Sequence, residues 1–219
     1  VKMSAYRCLL PAGEFTIGGM AKGSGMICPN MATMLAFMTT DVKIERPLLQ
    51  KIFSEAADRS FNVITVDGDT STNDTALILA NGAAAGVEVE EGNQYYEPFK
   101  DALELVCQEL ALQIVEDGEG LTKLITLKII NAPDEAGARI MARTILNSPL
   151  VKTAFYGEDA NWGRIIAALG YAGVYFDPRL VDIFIGPYQV AENGGSVKFS
   201  EEKMKTVLQK RDIEVVITL

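Results

Sequence analysis

Between residues 99 and 131 the apolar period of this chain changes from helical to extended across a single glycine-rich turn. Phe99, Leu103, Val106, Leu110 and Ile114 step by four, three, four and four residues, which places them on one face of a long helix. Asp117-Gly118-Glu119-Gly120 stops that helix. From Lys123 to Asn131 the pattern alternates, with Ile125, Leu127 and Ile129 on one face, as in a half-buried strand. Strands and helices alternate through the rest of the chain as well, so the predicted class is α/β (α+β). The turn near 118–122 is the weakest point for a domain boundary, which divides the chain into 1–120 and 121–219.

The remaining elements follow from the same reading. Residues 11–33 are rich in glycine (Gly13, Gly18, Gly19, Gly23, Gly25) and are expected to bend tightly. Residues 33–42 read as a buried apolar strand. Leu48, Leu49, Ile52, Phe53 and Ala56 recur at helical spacing behind Pro47. Asn62 to Val66 reads as a strand, Asp67 to Asp74 as a polar loop, and Thr75 to Ala80 as an apolar run. Pro133 opens a helix to about Asn147, another helix covers Trp162 to Leu169, and three short strands finish the chain. The chain opens at Val1-Lys2-Met3 and closes inside the apolar run Ile213 to Leu219, so a segment of a longer protein is expected.

Composition narrows the chemistry. There is no histidine among the 219 residues, so this chain alone supplies no Ser-His-Asp triad and no His-ligated zinc. A general base must be a carboxylate, a lysine, a tyrosine or an α-amine. With 29 acidic and 20 basic residues the net charge is -9, a field that repels phosphate backbones and speaks against a nucleic-acid partner. Cys8, Cys28 and Cys107 are odd in number and widely spaced, which fits a reducing compartment better than a disulfide framework. No apolar run reaches membrane-spanning length.

Without histidine, one segment offers an activated nucleophile. A glycine-rich lead runs through Cys28-Pro29-Asn30-Met31 to Ala32-Thr33 and then into an apolar strand. If the Ala32–Thr33 bond is cut, Thr33 carries a free α-amine beside its own hydroxyl. An α-amine has a pKa of roughly 7.7 to 8.0 and can take that proton. On pattern alone, a β-branched residue opening a strand is the commoner reading. Cys28 reads as a buried structural thiol. Asp67-Gly68-Asp69-Thr70-Ser71-Thr72-Asn73-Asp74 has the start of a calcium loop, but Thr72 and Ile78 stand where glycine and a bidentate glutamate are needed, so no metal is expected. Arg164, beside the only tryptophan, reads as a carboxylate ligand or as part of a helix start capped by Asn161.

The stretch GGMAKGSGMICPNMATMLAFMTTD resembles the processing-site region of the ornithine acetyltransferase family, the bifunctional glutamate N-acetyltransferases of arginine biosynthesis. SFNVITVDGDTSTND (60–74), DGEG (117–120) and SPLVKTAFYGEDANWGRIIAALG (148–170) match the same family in the same order. The resemblance implies an N-terminal-nucleophile-like layered sheet-and-helix domain of the ornithine acetyltransferase/DmpA-type superfamily, with a smaller, truncated α+β domain after it. It implies self-cleavage between Ala32 and Thr33, so that 1–32 ends an alpha chain and Thr33 begins a beta chain. It further implies that Thr33 carries the acetyl group from N-acetylornithine to glutamate, with Lys22, Thr33 and Glu119 binding substrate. No cofactor is implied, although some members accept acetyl-CoA as a co-substrate. The expected assembly is two copies of each chain, and the expected compartment is the cytoplasm if the source is bacterial, fungal relatives being mitochondrial. An oxyanion-hole Thr-Gly pair upstream and further substrate residues downstream are expected outside these 219 residues. A superfamily aminopeptidase or amidohydrolase and a non-catalytic homologue are the rival readings.

Overall fold

A computed structural model describes residues 1–28 and 34–219 of the chain. They form two units, Val1–Glu119 and Gly120–Leu219.

The first unit starts with an antiparallel hairpin of β1 (Lys2–Leu10) and β2 (Gly13–Lys22). The glycine-rich reading of 11–33 therefore needs correction, because its first half is strand. Phe15, Ile17 and Ala21 alternate on the buried face of β2, and that alternation outweighs the glycines between them. β3 (Leu35–Thr40) adds to β2 antiparallel, then a short β4 (Lys43–Ile44) leads into α1 (Arg46–Asp58). The chain returns in β5 (Thr75–Ala80), parallel to β3, which gives a four-stranded sheet in the order β1-β2-β3-β5. A short β6 (Glu88–Val89) pairs in parallel with β4.

α2 (Tyr96–Glu116) lies on the inner face of this sheet. All five residues of its predicted stripe are fully buried. Burying a side chain of that size stabilises by about 1.5–3 kcal/mol. Gly19 explains how the helix comes so close. A Cβ at this position would lie 2.8 Å from Leu110 Cδ1 and 2.9 Å from Met38 Cγ, so only glycine leaves room for α2 over the middle of β2.

Asn62 to Val66, read from sequence as a strand, has no partner strand among the described residues. Phe61–Val63 forms a 3₁₀ turn. The buried Phe61 ring curls the chain in behind α1, and the Ser60 hydroxyl donates to the Ala56 carbonyl at 2.6 Å. The segment then runs out extended, and the Val66 amide donates to the Ile27 carbonyl at 2.6 Å.

In the second unit β7 (Leu124–Ile130) is followed by three helices: α3 (Glu135–Asn147), α4 (Pro149–Tyr156) and α5 (Trp162–Gly170). Asp134, Ser148 and Asn161 each accept a backbone amide at the helix start they cap. The sequence reading missed α4, and it took Pro133 for the opening of α3 where Asp134 is the cap. β8 (Asp182–Ile185), β9 (Tyr188–Glu192) and β10 (Gly195–Ser196) come next. The three short strands do not finish the chain: α6 (Glu201–Leu208), capped by Ser200, and β11 (Asp212–Thr218) follow. The sheet order is β10-β9-β8-β11-β7, with β11 parallel to β7 and antiparallel to β8. No helix among the described residues is long and apolar enough to cross a membrane.

Candidate functional site

Two separate stretches of the first unit, 66–75 and 117–119, meet the chain at residues 24–28 and 34. Lys22 is the last residue of β2, exposed to solvent, and its register partner is Leu35 on β3. Beyond it the chain turns through Ser24, Gly25 and Met26, and that turn is tied from two sides. On one side the Glu119 amide donates to the Ser24 carbonyl at 3.0 Å and the Ser24 hydroxyl donates to the Asp117 carbonyl at 2.8 Å. Gly25 leaves space there for the Glu119 carboxylate, since a Cβ would stand 2.6 Å from Glu119 Oε2. On the other side Asp67 Oδ2 accepts the Met26 amide at 2.6 Å and Oδ1 accepts the Ile27 amide at 3.1 Å.

Asp67 Oδ1 also accepts the amide of Asp69 at 3.0 Å, so both oxygens of this carboxylate are committed to backbone. Its chemistry here is that of a turn-building residue rather than a cation ligand. The same loop holds the chain further on. The Thr70 hydroxyl donates to the Cys28 carbonyl at 3.3 Å. At the far end of the loop the Met34 amide donates to Asp74 Oδ1 at 2.6 Å, and the Thr75 amide donates to the Met34 carbonyl at 3.0 Å. The loop 66–75 thus grips Ile27 and Cys28 before the candidate scission point and Met34 after it.

Ala32 and Thr33, the predicted cleavage pair and nucleophile, lie outside the described residues. Lys22 and Glu119 belong to the two ends of one turn system, Lys22 through the strand that enters it and Glu119 through its bond to Ser24. Cys28 is buried.

Asp74 has the most unusual environment. Its Oδ2 is buried and has no hydrogen-bond partner among the described residues. Burial pushes its carboxyl above the usual aspartate value, against the opposite pull of the Met34 amide and the positive charge of Lys22. Sequence reasoning assigned this loop no residue-level role. The acidic residues at its two ends were visible, but bonds spanning 40 residues leave no periodic trace.

In the second unit Arg164 has a structural use. Its guanidinium donates to the Leu150 carbonyl at 2.9 Å and to Thr153 Oγ1 at 3.1 Å, which ties α5 to α4. Its backbone amide donates to the capping Asn161 side chain at 3.1 Å.

Comparison with known proteins extends these observations. The ArgJ family matches residues 1–219. The chain is 47% identical over 223 residues to the arginine biosynthesis bifunctional protein ArgJ of Thermotoga neapolitana, an alignment covering 100% of this chain and 56% of that protein. It is 52% identical over 202 residues to the protein of the same name from Desulfotalea psychrophila, covering 92% and 51%. The crystal structure of the arginine biosynthesis bifunctional protein ArgJ from Bacillus halodurans matches with a TM-score of 0.79 at 41% identity, over 83% of this chain and 85% of that one. The mixed, layered sheet-and-helix class expected from sequence is therefore the class observed. The chain spans about half the length of the curated relatives it matches.

Proposed function

This chain belongs to the ArgJ family, and from that premise we propose that the protein containing it is an acyltransferase of arginine biosynthesis. It moves an acetyl group from N-acetylornithine to glutamate through an acetyl-Thr33 ester, after cleaving its own chain between Ala32 and Thr33. The observation that carries the reading is the grip of the 66–75 loop on both flanks of that bond, beside a turn to which Lys22 and Glu119 both belong.

Cleavage begins with attack of the Thr33 hydroxyl on the Ala32 carbonyl carbon. The peptide nitrogen leaves as the Thr33 α-amine, and water opens the resulting ester to give the Ala32 carboxylate and a free Thr33 hydroxyl. In transfer, the α-amine takes the hydroxyl proton as Thr33 Oγ attacks the acetyl carbonyl, and returns it to the departing ornithine amine. Glutamate then attacks the acetyl ester through its own amine, and the hydroxyl is restored.

Lys22 meets the substrate carboxylate and Glu119 the substrate ammonium, each by a charge-assisted hydrogen bond. The reaction needs no resident cofactor or metal; acetyl-CoA enters, where it is used, as an alternative acetyl donor. The substrates are small molecules, the assembly holds two copies of each chain, and the compartment is the cytoplasm.

Intact mass of the full-length precursor under denaturing conditions tests the reading. Two chains divided at Ala32–Thr33, the second gaining one acetyl group with N-acetylornithine and losing it to glutamate, are the expected result. A chain that remains whole overturns the mechanism. Release of acetate with no dependence on glutamate assigns the protein to the hydrolases instead.

A further inference from the structure

Lys2 is a buried lysine at the start of β1, opposite Ala21 in the β1–β2 ladder. Its side chain is only 9% exposed, and an ammonium group that loses its hydration must be given partners. Two are found among the described residues. Nζ donates to the Gly23 carbonyl at 2.8 Å and to Asp117 Oδ2 at 2.5 Å. Gly23 follows Lys22 directly, and Asp117 opens the turn that carries Glu119. The ammonium therefore bridges the two stretches of chain that bear the candidate substrate groups. Two further bonds join the same stretches, from the Ser24 hydroxyl to the Asp117 carbonyl and from the Glu119 amide to the Ser24 carbonyl. Both pass through Ser24. The tie at Gly23 is the one next to Lys22.

The pair is lopsided. The Asp117 side chain is 72% exposed, so water would solvate its carboxylate if Lys2 lost its charge. The Lys2 ammonium holds that carboxyl below its ordinary value. An apolar side chain at position 2 would fill the same space without the cost of burying a charge. What it would not do is hold Gly23 to Asp117.

We propose that Lys2 is a positioning residue for substrate length: it fixes how Lys22 stands relative to Glu119, and so which amino acid fits between the group that takes the carboxylate and the group that takes the ammonium. This rests on the reading of Lys22 and Glu119 as substrate-binding residues and deepens it. Lys2 acts through the turn and not on the substrate. Two opposite charges held at a set separation select among homologues by chain length, and the separation is only as well defined as the bonds that hold it.

The test uses the full-length protein and compares N-acetylornithine with N-acetyllysine, which is one methylene longer. Lys2→Met keeps the stem and removes the ammonium. The expected result is a KM for N-acetylornithine raised roughly tenfold with kcat little changed, and a preference for N-acetylornithine over N-acetyllysine in kcat/KM reduced by roughly tenfold, the lower end of what one methylene is worth. The preference decides the outcome. A K2M protein with the parental preference overturns the proposal, whether its activity is intact or has fallen equally on both substrates, since an equal loss is that of a structural residue.

If K2M does not fold or does not mature, Asp117→Asn carries the test, because its side chain is exposed and a neutral partner holds Lys2 less firmly. The same preference is expected to fall about threefold, in keeping with an exposed ion pair, and an unchanged preference overturns the proposal. Lys22→Met and Glu119→Gln separate this inference from the reading beneath it. If both leave KM for N-acetylornithine unchanged, the substrate site and the role of Lys2 fall together. If they raise it while K2M keeps the parental preference, only the role of Lys2 falls.

Discussion

Gly19 and Leu110 face each other across the β2–α2 contact with no space for one further methyl group: a Cβ on Gly19 would meet Leu110 Cδ1 at 2.8 Å. The helix that carries the turn at Asp117 and Glu119 is thereby seated against the strand that ends at Lys22. Gly19→Ala is expected to destabilise the protein by about 1–3 kcal/mol, the usual cost of overpacking a filled core. Gly18→Ala is the control, because there the nearest atom, Thr39 Oγ1, is 3.9 Å away. Urea unfolding of both variants checks this. Equal midpoints for the two would show that the contact is not tight.

On the proposed reading, Lys22 and Glu119 are expected to contribute separably to substrate binding. Lys22→Met and Glu119→Gln should each raise KM for N-acetylornithine by roughly tenfold to a hundredfold, the equivalent of one hydrogen bond to a charged group. Shortening the substrate distinguishes them. An analogue without the carboxylate should bind Lys22→Met and the unaltered protein alike, and an unchanged KM for Lys22→Met itself would refute the assignment.

Cys107 is fully buried on α2, and burial pushes its thiol from the ordinary 9.0 up to about 12. The folded protein therefore keeps its proton where the unfolded chain gives it up. The stability this contributes is complete below the unfolded pKa and is lost as pH rises toward the folded one. From pH ~9 upward the group should lower unfolding free energy by about 1.4 kcal/mol per unit. Denaturant curves at pH 8, 9 and 10, compared with Cys107→Ala, measure it. A variant with the same pH slope as the parent would contradict the prediction. A thiol reagent at pH 8 should leave Cys107 unmodified until the protein unfolds.

In the second unit Asn161→Ala removes the side chain that caps α5. The expected cost is about 0.5–2 kcal/mol, read by thermal denaturation, with cleavage at Ala32–Thr33 unaffected. Loss of cleavage in a folded Asn161→Ala protein would implicate this turn in the site after all.

Long periodic elements were legible in the sequence because burial writes them repeatedly. The α2 stripe is five residues of one message, and Ile125, Leu127 and Ile129 alternate with more exposed residues along β7. The segment 62–66 carried β-branched residues but joins no strand ladder among the described residues, and Phe61 and Ser60 instead turned the chain. α4 and α6 are eight residues each, too short for a stripe to stand out, and their serine caps were the signals overlooked. At the candidate site, the residue types that could do acyl chemistry without histidine were readable from composition and motif. Asp67 and Asp74 were not, because their partners Met26, Ile27 and Met34 bond through backbone amides, which every residue but proline possesses.

β2 is an inner strand, bonded along one edge to β1 and along the other to β3. β1 in turn is moored to α2: Lys2 pairs with Asp117 at 2.5 Å, Ser4 bonds Glu109, and the Met3 amide donates to Gln113 at 3.2 Å. A break between β2 and β3 would therefore open the chain without releasing either piece. The β1–β2 hairpin would stay joined to the rest along the β2–β3 ladder and through the contacts of β1 with α2. Such a nick escapes gel filtration and every other native measurement of size. Cleavage there, as proposed, would change the connectivity of the first unit and leave its β2–β3 ladder in place.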